Sequence, residues 1–187
     1  MCIRDRLGGP LRLRFEAGAD LARDVLRLHG GSLGASAPAA ARRPRHHGDV
    51  SDFNAGIIDE FRANGGAVSR FGTDLVLVHS IGAKSGAERI HPVLGIRDGD
   101  GWLIAASKAG APENPAWFHN LVAHPDATIE VPDMAGDVAT VPVRAEVLEG
   151  AEHDAGWAAF LSRSPAFAQY DERSGARRIP VVKLSPR

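Results

Sequence analysis

The sequence predicts a mainly β domain, an antiparallel closed or split barrel with peripheral helices, and three observations carry that expectation. Short apolar segments of period two are joined by hairpin-length turns, the helical segments stand singly among them, and no βαβ unit repeats. Isolated helices between hairpins disfavour a doubly wound nucleotide-binding sheet. A barrel also removes the unpaired strand edges that a meander would leave open.

Order is expected over residues 49–187. Ser51 or Asp52 can cap a helix whose Ile57, Ile58 and Phe61 share a face and which stops at Asn64-Gly65-Gly66. The period then changes: residues 75–78, 89–97 and 102–106 read as strands, the last two joined by Asp98-Gly99-Asp100-Gly101. Asn114 as cap and Pro115 at the first helical position start a helix with Trp117, Phe118, Leu121 and Val122 on its buried side, ending before Pro125. Strands over 127–131 and 139–148 follow, the latter with Val141, Val143, Ala145 and Val147 alternating onto one face. A helix over 151–162, helical turns around 165–171 and a strand over 179–184 complete the order α β β β α β β α α β.

Residues 1–48 read differently, as a disordered basic leader with nine arginines against four acids. Leu21, Val25 and Leu28 recur at helical spacing, so this leader is either a short amphipathic arm for peripheral membrane contact or a mobile extension. The opening residues lack a signal peptide's apolar core, and no apolar run reaches the ~20 residues of a membrane span. A cytoplasmic protein, with membrane association only through the leader, is the expectation. Cys2 is the sole cysteine, and the histidines lack zinc-ligand spacing, so neither a disulfide framework nor a metal site is expected. Nucleic acid is a poor partner, because the residues after the leader are net acidic and their aromatics are not interleaved with basic runs.

Three segments can carry chemistry. In Ser80-Ile81-Gly82-Ala83-Lys84-Ser85-Gly86, glycines turn backbone N–H groups toward one point while Lys84, Ser85 and Arg89 add donors, so the segment is either a phosphate cradle or a polar hairpin. In the stretch from Ala105 and Ala106 through Ser107, Lys108 and Gly110 to Asn114, Pro115, Trp117 and Asn120, small residues let a planar ring approach the backbone beside a helix N-terminus. Trp117 and Phe118 are equally readable there as core. Phe167 and Tyr170 share a helical face and either wall a flat substrate, with the Tyr170 hydroxyl donating, or pack on the barrel.

Taken together, Gly82-Ala83-Lys84-Ser85-Gly86, the block from Ala105 to Gly110 with Asn114-Pro115-Ala116-Trp117-Phe118 and Asn120-Leu121, His124-Pro125, and Ile179-Pro180-Val181-Val182 resemble the deazaflavin-dependent nitroreductase family over residues 53–186. The resemblance implies a split β-barrel of the FMN-binding-like kind that uses coenzyme F420. By that similarity Lys84, Ser85, Gly86 and Arg89 hold the cofactor's phosphate and tail, Ala105, Ala106, Ser107, Lys108, Asn114, Trp117 and Asn120 line its ring and ribityl part, and Pro92 and Pro115 are further cofactor contacts. Ser107 and Tyr170 are the candidate catalytic contacts. The implied reaction is hydride transfer to a small planar acceptor such as a quinone, an enone or a nitro-aromatic. Departures from the family pattern are Ala83 in place of an arginine, and Ser164 and Phe167 in place of tyrosines. An FMN-dependent reductase on the same barrel and a non-catalytic flavin or lipid carrier are the alternatives, and barrels of this type often form homodimers.

Overall fold

The computed structural model describes residues 48–187, so the readings of the leader lie outside the described residues, save that Gly48 already opens the first helix. Helix α1 (Gly48–Ala63) starts earlier than the capping pattern suggests, which puts Ser51 and Asp52 within it rather than ahead of it. Its Ile57 and Phe61 are buried against Leu75 and Leu77.

Six strands follow: β1 (Leu75–Ile81), β2 (Glu88–Asp98), β3 (Gly101–Ala105), β4 (Asp126–Pro132), β5 (Val138–Val147) and β6 (Val181–Pro186). Helix α2 (Ala116–Ala123) lies between β3 and β4, and helices α3 (Gly150–Arg163) and α4 (Ala166–Ser174) lie between β5 and β6. The element order is the expected one. All pairings are antiparallel, and the ring β1-β2-β3-β6-β5-β4 closes into a barrel.

Alternation along each strand sorts the side chains into two faces. Val76 and Val78 of β1, Val93 of β2, Ile104 of β3, Ile129 of β4, Val143 of β5 and Val182 of β6 fill the interior together with Trp117 and Leu121 of α2. The outer face of β3 and β6 packs on α3 and α4 through Leu103, Val181, Phe160 and Phe167, the last two with ring centroids 5.1 Å apart. Val147 keeps the predicted face, in register with the interior Val182, but at the open end of the barrel it is 39% exposed, and Leu148 packs on the opposite face with Phe160 and Val181. On α2, Val122 is 57% exposed and not part of the buried side, whereas Trp117 and Leu121, with Phe118 packed beside them, reach into the barrel.

The seam that closes the barrel is short, with only Leu77, Val78 and His79 of β1 in register with β4. A polar cluster braces its outer side. Glu130 on β4 accepts from both Arg62 of α1 and His79 of β1, and the other ring nitrogen of His79 meets Glu88 of β2 at 3.0 Å. Arg62, and then His79, hold the buried Glu130 carboxyl below the usual carboxylate range. Among the described helices none is long and apolar enough to cross a membrane.

Glu130→Gln keeps the shape but removes the charge that Arg62 pairs with. It should cost on the order of 1–3 kcal/mol of unfolding free energy, near the lower figure because Arg62 is half exposed. Chemical denaturation of the two proteins measures the difference, and equal midpoints would show that the seam needs no such brace.

Candidate functional site

Every motif singled out for chemistry gathers at one end of the barrel. The registers Ile81 with Glu88, Ala105 with Val181 and Val147 with Val182 place the ends of β1, β3 and β5 beside the beginnings of β2 and β6. Helix α2 crosses that end and plugs it. At about 12 Å long, it brings the loop before it and the hairpin beside it onto one support.

The hairpin loop 82–87 is built from internal bonds. The Gly82 N–H donates to the Ala87 carbonyl and the Gly86 N–H to the Gly82 carbonyl, both at 2.8 Å. A Cβ at Gly82 would come 2.4 Å from Ser85 Oγ and 3.2 Å from the Ala87 carbonyl oxygen, so any larger residue there would have to displace the Ser85 side chain. Asn120, 8% exposed, joins this loop to α2: its Oδ1 accepts from the Ala83 N–H at 3.0 Å and its Nδ2 donates to Ser80 Oγ at 3.1 Å. Ser80 pairs with Arg89 across the strands, so Arg89 lies on the same face as Ser80 at the barrel mouth.

The charges there are free. Lys84 and Arg89 are exposed and have no carboxylate, ring or carbonyl partner among the described residues. The other described lysines and arginines are engaged, for example Lys108 with Glu113 at 2.7 Å, Lys183 with Asp98 at 2.9 Å, and Arg97 over the Trp102 ring at 4.2 Å. Two uncommitted cations beside a glycine turn suit a phosphate-bearing, acidic ligand. Pro92 does not join them: it is in register with Leu77, whose face packs on α1, so it lies on the opposite side of β2 from Arg89.

Beneath Arg89, His91 shares the interior face with Val93, and its buried Nε2 has no partner among the described residues. Burial, and then the Arg89 charge, push its pKa down.

The loop after β3 carries the second half of the site. Ser107 is right-handed (φ −70°, ψ −39°), and three residues of positive φ follow it, Lys108 (45°), Ala109 (53°) and Gly110 (80°). A left-handed conformation costs on the order of 1–2 kcal/mol for each residue with a Cβ, so other contacts must hold the turn. Gly110 backs directly onto Tyr170 of α4, where any Cβ would come within 2.8 Å of the Tyr170 carbonyl oxygen.

The residue that holds this loop is Arg177, which sequence reasoning missed. Its Nε donates to the Ala111 carbonyl at 3.0 Å, Nη1 to the Ala106 carbonyl at 3.2 Å and to Asn114 Oδ1 at 2.6 Å, and Nη2 to the Ser107 carbonyl at 3.0 Å. Partners 63 to 71 residues upstream leave no local pattern from which to foresee it. Asn114 is consequently not the helix cap: Pro115 occupies that position with extended backbone, and the Asn114 carboxamide is turned to Arg177.

Accessibility further corrects the predicted lining. Ala106 is 0% exposed, with its N–H on the Pro180 carbonyl and its own carbonyl on Arg177, so it offers a ligand no surface. Pro115 is buried, and Trp117 packs in the barrel core. Asn120 is bonded at both ends of its amide. Ala105, Ser107, Lys108 and Asn114 retain exposed surface, and Ser107 Oγ has no partner among the described residues. Phe167 and Tyr170 share a face, as expected, but that face packs inward, with the rings edge-to-face 5.5 Å apart and Tyr170 only 3% exposed. Burial raises the Tyr170 pKa, keeping its hydroxyl protonated. Tyr170 is thus a core residue with at most a narrow edge for an acceptor.

Comparison with known proteins places this geometry among redox enzymes. The sequence profile of F420H(2)-dependent quinone reductases matches residues 57–186. An F420H(2)-dependent quinone reductase of Mycobacterium tuberculosis (strain H37Rv) is 36% identical over 117 residues, covering 60% of this chain and 73% of that protein. The solved structure of an F420-H2 dependent reductase (FDR-A) superposes with a TM-score of 0.53 at 30% identity, covering 60% of this chain and 94% of that one. A solved structure described as a domain-swapped dimer superposes with a TM-score of 0.55 at 30% identity, covering 73% of this chain and 98% of that one.

Two outcomes are expected from the site's construction. Asn120→Ala leaves Ser80 and the Ala83 N–H without their partner, so it should cost on the order of 1–3 kcal/mol and speed hydrogen exchange in residues 82–87. A variant with wild-type stability and exchange would refute the linkage. For His91, the unfolded chain binds a proton near pH 6.5 and the folded chain only at lower pH. The unfolded state therefore holds more protons in that window, and stability should fall as pH drops below about 6.5. His91→Asn should flatten the fall, as denaturant midpoints between pH 7 and pH 5 would reveal.

Proposed function

This chain belongs to the F420H(2)-dependent quinone reductase family, and we propose that Lys84 and Arg89 grip the acidic tail of coenzyme F420 while the loop 105–114 and α2 seat its ring. The observation that carries the assignment is the pair of uncommitted cations on a glycine turn that Asn120 ties to α2, at the same barrel end as the strained loop. Coenzyme F420 is the cofactor of the family, and the acidic, phosphate-bearing tail explains why two positive side chains stand without carboxylate partners. FMN, with a phosphate and no glutamyl tail, makes less use of both.

When bound, the reduced deazaflavin supplies the hydride, so the chain needs no nucleophile of its own. Its residues bind, orient and exclude water. Lys84, Ser85 and Arg89 offer charge-assisted donors to the tail, and Ser107 offers its unpartnered hydroxyl toward the acceptor. Trp117 and Leu121 keep the barrel end closed to solvent behind the site. Quinone is the acceptor class of the family. Enones and nitro-aromatics, which are also flat and electron-poor, extend the proposal. Tyr170 offers the acceptor only a narrow exposed edge, so Tyr170→Phe should leave cofactor affinity unchanged. Likeness to the domain-swapped relative also favours a homodimer, which sedimentation would measure.

Titration of the purified protein with F420 and, separately, with FMN tests the cofactor assignment, and turnover of reduced F420 with menadione tests the reaction. Lys84→Ala and Arg89→Ala should each raise the F420 dissociation constant roughly tenfold, with weaker salt dependence than wild type. Binding of FMN alone, or variants that bind F420 as well as wild type, would overturn the tail assignment. Binding without turnover would make the protein a carrier.

A further inference from the structure

We propose that Arg177 is the positioning residue that gives the cofactor site its polarity: by drawing four of the loop's acceptors to itself, it turns backbone and side-chain donors toward the ligand. The proposal rests on the reading of this loop as the seat of the deazaflavin ring.

The geometry leads there in three steps. Arg177 donates to the carbonyls of Ala106, Ser107 and Ala111 and to the Asn114 side-chain oxygen, so four acceptors of one short loop point at a single guanidinium. In a trans peptide the C=O and the following N–H point in opposite directions. Turning the Ala106 and Ser107 carbonyls toward Arg177 therefore turns the Ser107 and Lys108 N–H groups away from it, and neither N–H has a partner among the described residues. The sequence right-handed Ser107, left-handed Lys108 is the backbone form in which successive N–H groups converge on an anion.

Asn114 obeys the same rule. With Oδ1 committed to Arg177 at 2.6 Å, the carboxamide presents its Nδ2 hydrogens to the other side. Ser107 and Asn114 retain exposed surface, so the side of the loop away from Arg177 carries two backbone donors, an amide and a hydroxyl. A ring edge rich in carbonyl and deprotonated nitrogen acceptors is the ligand chemistry that such an array selects.

A lysine at 177 keeps the charge but cannot bridge four acceptors. Arg177→Lys should fold, lose hydrogen-exchange protection in residues 106–111 without any ligand, and raise the F420 dissociation constant roughly tenfold. In turnover, the KM for reduced F420 should rise while kcat for menadione changes little. Asn114→Asp separates polarity from mere support: it keeps an oxygen for Arg177 and should be as stable as wild type, yet it replaces the outward donor by an acceptor. It too should weaken F420 binding roughly tenfold. Wild-type affinity in Asn114→Asp, or wild-type exchange and affinity in Arg177→Lys, overturns the assignment while leaving the cofactor reading intact. Failure of wild type itself to bind F420 overturns both.

Discussion

A closed barrel of few strands is filled by side chains, and its ends must be stopped by something other than water. Here α2 does this at the end where the chain's glycine turns collect, pushing Trp117 and Leu121 among the interior valines and isoleucines. Because the plug is a helix rather than a loop, it arrives with a rigid spacing of side chains. Asn120, one turn past Trp117, falls against the β1–β2 hairpin and satisfies both Ser80 and the Ala83 N–H. Packing of the plug therefore also sets where Lys84 sits.

The other end of the same helix is governed by charge rather than by packing. Arg177 is partly buried, which lowers its pKa, and four acceptors of the preceding loop replace the water it gives up. Those bonds offset the cost of a left-handed turn carrying Lys108 and Ala109, and the glycine at 110 lets α4 press directly on it. Strain at this position is thus tied to two distant parts of the chain. The seam brace of Arg62, His79 and Glu130 lies on the outer face near α1, where it serves closure of the barrel and leaves the mouth free.

The sites diverge in how legible they were. The exposed turn that carries Lys84, Ser85 and Gly86 was readable because a glycine turn between two strands is decided over a few residues. Ala106, Pro115 and Trp117 matched a motif, yet their burial follows from which barrel wall they meet. Asn114 looked like a cap because caps are local, but a guanidinium from a later loop competes for the same oxygen and wins by bringing a charge. Val147 follows the alternation of its strand onto the interior face, but its exposure at the barrel end depends on what covers that end, which no local pattern records.

What the amino-acid sequence determined alone was the kind of fold and the order of its elements, since side-chain alternation, glycine turns and helix starts are decided within a few residues. Resemblance in its motifs added the cofactor. Tertiary structure alone decided which polar groups remain unsatisfied: among the described residues Lys84, Arg89 and the Ser107 hydroxyl are left open, whereas Asn120, Ala106 and the Asn114 oxygen are spent on the protein itself. A hydrogen-bonding group's availability depends on what the folded chain brings within about 3 Å of it, and for this loop that partner is Arg177, more than sixty residues away.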